Sequence, residues 1–209
     1  MDLPFSTKIP IHYLVRAFEE TTTSYKYLWL WALISKVLKC NSLLISVDEI
    51  ASEMLILASG PIIENKLSFG RQDKMNDFIS AITLHYFPDS NLKGPDIQNC
   101  IRENSGDLTI KDTIRSISRY VPFRFLTPWF NDELVRRKDS EKNKLIVELS
   151  NQYFTNSERR PLYRLDESMH YIEVETLWAE YIKENYKILE GFIFWHFASY
   201  LSRATKTCH

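Results

Sequence analysis

The sequence predicts a mainly α protein, a multi-helix globular bundle with one small β-hairpin at residues 162–174. Apolar residues recur at helical spacing along most of the chain, and only one pair of short segments alternates apolar and polar residues. Glycine and proline are scarce, at 5 and 8 of 209 residues, and 44% of the residues are apolar, enough for a real core. We expect a single domain over 1–209, or two subdomains at 1–90 and 91–209.

The first ninety residues predict helices separated by polar turns. A short amphipathic segment covers 11–20, and a longer helix over 25–39 carries an apolar stripe wide enough for a central position. Ser46, followed three positions later by a glutamate, is a capping-box pattern that predicts the start of a third helix. The pair Gly60-Pro61 predicts its end. A further apolar stripe over 75–86 predicts the next helix.

The rest of the chain begins with two predicted helices, 95–103 and 109–120, joined by a turn that contains Gly106. They have the outline of a helix-turn-helix, an arrangement that is also common in helical proteins without that function. Residues 121–130, with two prolines and four aromatic residues, predict an ordered loop. A helix around residue 146 follows, and after the hairpin two helical segments complete the chain.

Charge is distributed unevenly although the net charge is only −1. Residues 111–164 hold twelve Lys or Arg and seven Asp or Glu, whereas the segments on both sides are acidic. A basic middle third predicts contact with the DNA backbone. The alternative is a solvated surface, because acidic residues interleave with the basic ones. The candidates for DNA contact are Arg71, Lys74, Lys111, Arg115, Arg119, Arg124, Arg136, Arg137, Arg159 and Arg160.

The last helical segment is apolar nearly all round. Its main stripe includes Phe192 and Phe197, but Phe194, Trp195 and Ala198 fall outside that stripe. An apolar face without a neighbour in its own fold binds a partner. We therefore expect these three residues to contact a second copy of the chain or another protein.

Several functional classes lack support in the sequence. The three cysteines are widely spaced, the apolar runs are too short to span a bilayer, and no nucleotide-binding or hydrolase motif is present. We expect no cofactor, no metal, no catalytic residue, no membrane contact and a cytoplasmic location. One further alternative is a hydrolase whose acidic and imidazole side chains come together only in the folded structure. His85, His170 and Glu173 are examples of such side chains. The histidines lie in separate predicted elements: His12, His85, His170, His196 and His209.

Five stretches carry a family resemblance: TTTSYKYLWLWALI (21–34), ISVDEIASEM (45–54), KLSFGRQDK (66–74), YVPFRFLTPWF (120–130) and the stretch from PLYRL to LWAEYIKENY (161–186). In this order they resemble the N-terminal helical region of a bacterial group of predicted HNH endonucleases, which are restriction or defence proteins.

In that family a metal-dependent nuclease domain follows the helical region, and this sequence carries none of its motifs. The resemblance therefore implies a truncated, non-catalytic helical recognition domain that contacts DNA backbone through its basic middle third. The alternative function is a protein-protein interaction or oligomerisation module that uses the apolar C-terminal helix.

Overall fold

A computed structural model describes residues 2–19, 21–40, 42–88, 92–156 and 158–206. The first elements are α1 (Ile11–Arg16), α2 (Tyr25–Lys39), β1 (Leu44–Ser46), α3 (Val47–Ile63) and α4 (Met75–Tyr86). The chain continues with α5 (Gly94–Glu103), α6 (Leu108–Ser118), α7 (Val121–Leu126), a 3₁₀ turn (Thr127–Trp129), α8 (Asn131–Leu134), α9 (Asp139–Gln152), β2 (Tyr163–Leu165), β3 (Tyr171–Val174) and α10 (Thr176–Lys206). The predicted mainly α class with a small hairpin is confirmed.

Helix α2 lies at the centre of the fold. Trp29 and Leu33 on this helix are fully buried, and α2 packs against α3, α7 and α10. Neighbours on several sides explain why its apolar stripe is wider than a surface helix needs. The hydrophobic core extends from Ile9 to Ala204 and takes side chains from both sides of residue 90, so the two halves share one core.

A third strand joins the predicted hairpin. The antiparallel sheet has the order β1-β3-β2, with Ile172 opposite Leu165 on one side and Ile45 on the other. The sequence predicted only the hairpin and missed β1. A strand of three residues is too short to show an alternating pattern, and its partner β3 is distant in sequence. Helix α3 follows β1 without a connecting residue. The backbone N–H of Val47, its first residue, donates to the carbonyl of His170 at 2.9 Å, just before β3.

Two predictions that rested on prolines were wrong. Helix α3 continues through Pro61, and its last two residues, both isoleucines, pack against the core and hold the final turn. Within the predicted loop 121–130, residues 121–129 form α7 and the 3₁₀ turn. Pro122 and Pro128 each occupy the second position of their helix, where the missing N–H would have no intrahelical partner in any case.

The predicted pair of C-terminal helical segments forms α10, which is interrupted at Asn185. This residue has non-helical dihedral angles of φ −116° and ψ 15°. Its side-chain amide donates to the carbonyl of Tyr181 at 3.0 Å, which satisfies an acceptor next to the kink. Within the described ranges, no helix combines the length and the apolar character that crossing a bilayer requires.

Candidate nucleic-acid interface

A buried carboxylate joins three distant parts of the chain. Asp73 is 3% exposed and accepts hydrogen bonds from the backbone N–H of Ser24 at 2.5 Å and of Met75 at 2.9 Å. The Tyr200 hydroxyl on α10 lies 3.3 Å from this carboxylate and donates to the carbonyl of Phe69. Burial raises the pKa of Asp73, and the hydrogen bonds act in the opposite direction. The start of α2, the turn before α4 and the end of α10 are thereby held together.

The turn that precedes α4 is fixed by its own residues. Gly70 has φ +91°, in the left-handed region that glycine adopts without a steric penalty. The side chain of Asn76 accepts from the N–H of Phe69 at 2.8 Å and donates to the carbonyl of Leu67 at 3.1 Å. Arg71 is exposed and directly follows Gly70, so its side chain projects from a turn whose backbone is held by these bonds.

Two clefts open beside Thr21 and Thr22. The larger cleft, of about 420 Å³, is lined by Thr21, Thr22, Gly70, Arg71, Gln72, Tyr200, Arg203 and Ala204. The smaller cleft, of about 220 Å³, is lined by Thr21, Thr22, Thr23, Tyr25, Lys26, Tyr120, Val121 and Arg124. Because both contain the first two threonines, the clefts adjoin each other.

The formal charge lining these two clefts is positive. Arg71 and Arg203 line the larger cleft, and Lys26 and Arg124 line the smaller one. Among the lining residues that the structure describes, none is Asp or Glu. Thr21 and Thr22 line both clefts together with these cations, so the lining combines charge with hydroxyl-bearing side chains.

A cleft of comparable size between α3 and α6 has a different charge pattern. Its volume is about 450 Å³, and its charged lining residues are Lys36, Arg102, Lys111, Asp48, Glu49 and Glu53. Lys36 forms an ion pair with Glu49 at 3.4 Å. Lys111, a predicted DNA contact, therefore lies among carboxylates, as is typical of a solvated surface.

Three of the predicted DNA contacts lie at or beside the clefts. Arg71 lines the larger cleft and Arg124 the smaller one. The Arg124 guanidinium lies 3.4 Å from Asp139, whose side chain is 76% exposed, so this ion pair is open to solvent. Arg119 lies over the ring of Tyr120, which lines the smaller cleft, at 5.1 Å from the ring centroid.

Lys74 lies close to the same surface. Its backbone N–H donates to the hydroxyl of Tyr25 at 3.1 Å, and its ammonium pairs with Asp77 at 3.0 Å. Burial, with a further contribution from the Asp73 charge, raises the pKa of Tyr25 to about 12. The tyrosine therefore stays neutral at the edge of the smaller cleft.

The structure does not place the remaining exposed candidates in either cleft. Arg115 on α6 pairs with Asp112 one turn away at 3.3 Å. Arg136 and Arg137 are exposed in the segment between α8 and α9, and Arg136 has φ +65°. The basic middle third is thus spread over several surfaces.

The guanidinium of Arg159, a predicted DNA contact, is engaged with other residues of the chain. Its guanidinium forms two hydrogen bonds with Glu133, at 2.6 and 2.8 Å, and donates to the carbonyl of Trp129 at 3.0 Å. The ring of Tyr153 lies 4.5 Å from the guanidinium carbon. These partners use the donors that a phosphate would need.

Arg160, also a predicted DNA contact, is even less accessible. Its guanidinium lies 2.5 Å from Glu175, and the two side chains are 14% and 6% exposed. The backbone carbonyl of Arg160 accepts from the indole N–H groups of Trp129 at 3.0 Å and Trp178 at 3.1 Å. Sequence could not separate this structural arginine from a surface one, because its partners lie on other elements.

Sequence reasoning missed Lys26, Arg203 and the threonines between the clefts. Lys26 follows the polar stretch 21–24, which we interpreted as a separator, and Arg203 belongs to the polar end of α10. Stretches 21–34, 66–74 and 120–130 all contribute lining residues.

The predicted partner residues on α10 are exposed. Phe194 is 60% and Trp195 63% exposed, and Ala198 is exposed as well. Beside them lies an apolar groove of about 650 Å³, lined by Trp31, Leu57, Pro61, Asn65, Leu67, Phe194, Phe197, Ala198, Leu201 and Ser202. Phe194 thus belongs to a groove whose lining is mostly apolar, and Trp195 is exposed next to it in the sequence.

The histidines do not converge on one site. His12, His85 and His170 are exposed on separate elements, whereas His196 is partly buried against Phe192, with ring centroids 4.4 Å apart. Burial lowers the pKa of His196. His209 and Cys208 lie outside the described residues. Within the part of the chain that the structure describes, no three His, Cys, Asp or Glu side chains form a group that could hold a metal ion.

Comparisons with known proteins do not assign a family. No protein-family profile, no curated protein and no solved structure matches the chain.

Proposed function

We propose that the chain is a non-catalytic helical recognition domain of an HNH-endonuclease-like protein, and that it contacts the DNA backbone through the larger and smaller clefts. One observation carries the proposal: four cationic side chains line these clefts, with no carboxylate among the described lining residues. Guanidinium and ammonium groups neutralise phosphates and release counterions from DNA. Such contacts position a protein on DNA without reading its sequence.

The proposed surface differs from the basic middle third. Only Arg124 comes from that region, whereas Lys26, Arg71 and Arg203 come from the N-terminal half and from α10. Three stretches that carry the family resemblance supply most of the lining, which supports a shared role for them. Their common position explains why a charge count along the sequence gives an incomplete description of the surface.

Fluorescence anisotropy with a labelled duplex, repeated across salt concentrations, tests the proposal. Four phosphate contacts predict that log affinity falls against log salt with a slope of about −3 to −4. The double variant Arg71→Gln/Arg124→Gln should make this slope shallower by about 2. Arg102→Gln is the matched control, because Arg102 lines the cleft that also contains carboxylates.

Two results would reject the proposal. One is wild-type protein that binds no DNA at low salt, or binds with an affinity that does not depend on salt. The other is an Arg102→Gln slope that changes as much as that of the double variant. Circular dichroism of each variant separates lost contact from lost folding.

The exposed aromatic pair on α10 favours a second candidate function, an oligomerisation module. Phe194 lines the apolar groove, and the exposed Trp195 follows it on the same helix. In a two-fold symmetric dimer the same patch faces itself, so the aromatic pair of each copy could fill the groove of the other. We infer a second copy of the chain as the occupant under this alternative.

Sedimentation velocity over a concentration series tests the second candidate. Wild-type protein should form dimers, and Trp195→Asp should shift them to monomers because a buried carboxylate without a partner is costly. Leu84→Asp is the control, since Leu84 on α4 is 72% exposed and is not a lining residue of the groove. Wild-type protein that stays monomeric at high concentration would eliminate this function.

A further inference from the structure

Tyr120 presents an aromatic ring at the smaller cleft. Its side chain is 47% exposed although it lies between two packed helices, α6 and α7. Its backbone is fixed on both sides: the N–H donates to the carbonyl of Ile117 at 3.3 Å, and the carbonyl accepts from the N–H of Arg124 at 3.0 Å. The ring is therefore carried by an ordered junction.

The surroundings of this ring are cationic and hydrogen-bonding. The Arg119 guanidinium lies over the ring at 5.1 Å from its centroid, and Lys26 and Arg124 line the cleft beside it. Thr21, Thr22 and Thr23 line the same cleft, and the Thr21 hydroxyl is hydrogen-bonded to the Tyr27 hydroxyl. An exposed aromatic ring among cations is the combination that binds single-stranded nucleic acid, where a base stacks and the phosphate meets a cation.

The size of the smaller cleft limits what it holds. At about 220 Å³ it falls below the roughly 300–1,000 Å³ typical of drug-sized ligand sites. It suits one planar group. In a duplex, the neighbouring base pairs cover both faces of each base, so an aromatic side chain can stack only on an unpaired or extruded base.

We propose that the smaller cleft binds one unpaired nucleotide, with its base stacked on Tyr120 and its phosphate beside Lys26 and Arg124. This inference rests on the proposed DNA contact and adds a preference for unpaired DNA. Arg119, which already stacks on the ring, limits the positions that the ring can take. The larger cleft then contacts the backbone that leads to this nucleotide.

The test compares a labelled oligothymidylate of about 12 nucleotides with a duplex of the same length, by anisotropy at fixed salt. Tyr120→Ala should weaken single-strand binding by about 5- to 150-fold, the range for one lost base-aromatic stack. Its duplex affinity should fall much less than its single-strand affinity, and its salt slope should not change, because stacking releases no counterions. Tyr120→Phe should bind like wild type, since the ring is retained.

Tyr186→Ala is the matched control, because Tyr186 is 38% exposed and also has a cation over its ring, Lys187 at 4.9 Å. Two results would overturn the stacking inference. One is a Tyr120→Ala protein that binds single strands with wild-type affinity, and the other is one whose affinity falls equally for single strands and duplex. In those cases salt-dependent binding of wild-type protein leaves the proposed function intact. Wild-type protein that binds neither DNA form overturns both proposals.

Discussion

Replacing Arg160 with methionine removes a guanidinium from the interior and keeps an unbranched apolar stem. The change leaves the Glu175 carboxylate, 6% exposed, without the cation that lies 2.5 Å away. Glu175 keeps one hydrogen bond, from the N–H of Trp178 at 3.1 Å in the first turn of α10. The variant therefore contains a buried charge that is only partly satisfied.

The expected loss follows from this burial. Removing one partner of a buried ion pair costs about 3–5 kcal/mol, and we expect about 3 kcal/mol because Arg160 retains some solvent contact. The backbone carbonyl of Arg160 is unchanged and still accepts from the indoles of Trp129 and Trp178. With a urea dependence of about 2 kcal/mol per M, the unfolding midpoint should fall by about 1.5 M.

Urea unfolding followed by tryptophan fluorescence measures this loss. Arg164→Met is the control, because Arg164 forms a comparable pair with Glu173 at 2.6 Å but the two side chains are 38% and 40% exposed. We expect this control to cost at most about 1 kcal/mol. In the double variant Arg160→Met/Glu175→Gln the buried charge is gone, so its loss should be smaller than the sum of the two single losses.

The reasoning would be refuted by Arg160→Met protein as stable as the Arg164→Met control. DNA binding supplies an independent readout, since the folded variant should keep the wild-type salt slope. A slope that becomes shallower by about 0.9, with stability unchanged, would restore the original prediction that Arg160 neutralises a phosphate.

Three further predictions concern the turn before α4 and the Arg159 pair. Gly70→Ala should lower the free energy of unfolding by about 1–2 kcal/mol, because φ +91° is unfavourable for alanine. Asp73→Asn should cost about 2 kcal/mol in the same urea assay, because its amide N–H₂ would face a backbone N–H. Hydrogen bonds from Arg159 lower the pKa of Glu133. This pair therefore stabilises the fold above the ordinary glutamate pKa of about 4.3 and loses that effect as the pH falls through the lowered value. Glu133→Gln should thus destabilise more at about pH 7 than at about pH 3, and equal losses would contradict this.

Local patterns predicted the helices that bury one clear stripe. The bounds of α2 and α4 follow from apolar spacing alone, because each stripe faces a continuous part of the core. The strand β1 could not be predicted in this way, because three residues are too few to show the apolar and polar alternation of a strand. Its pairing with β3 also depends on the fold. Pro61 does not end α3, because packing of the residues after it outweighs the local cost of a proline in a helix.

The candidate site was predictable only in part, for a similar reason. Arg71 and Arg124 were identified as basic residues, but sequence gives a charge without its neighbours. The same reasoning therefore included Arg159 and Arg160, whose carboxylate partners lie on α8 and directly before α10. Lys26 was missed because it adjoins an apolar stripe, and a single cation beside such a stripe carries no recognisable pattern.

The position of Asp73 explains why the clefts, rather than the longest basic run, are the better candidate for binding. Its hydrogen bonds fix the backbone on both sides of the larger cleft, from Ser24 to the turn that carries Arg71. A cation on a fixed backbone loses less conformational freedom when it binds a phosphate, so more of the electrostatic gain remains as affinity. Arg136 and Arg137 carry the same charge on an exposed connection, without a comparable buried support in the described structure. We therefore expect Arg71 to contribute more to DNA affinity than Arg136 or Arg137, although the three side chains carry the same charge.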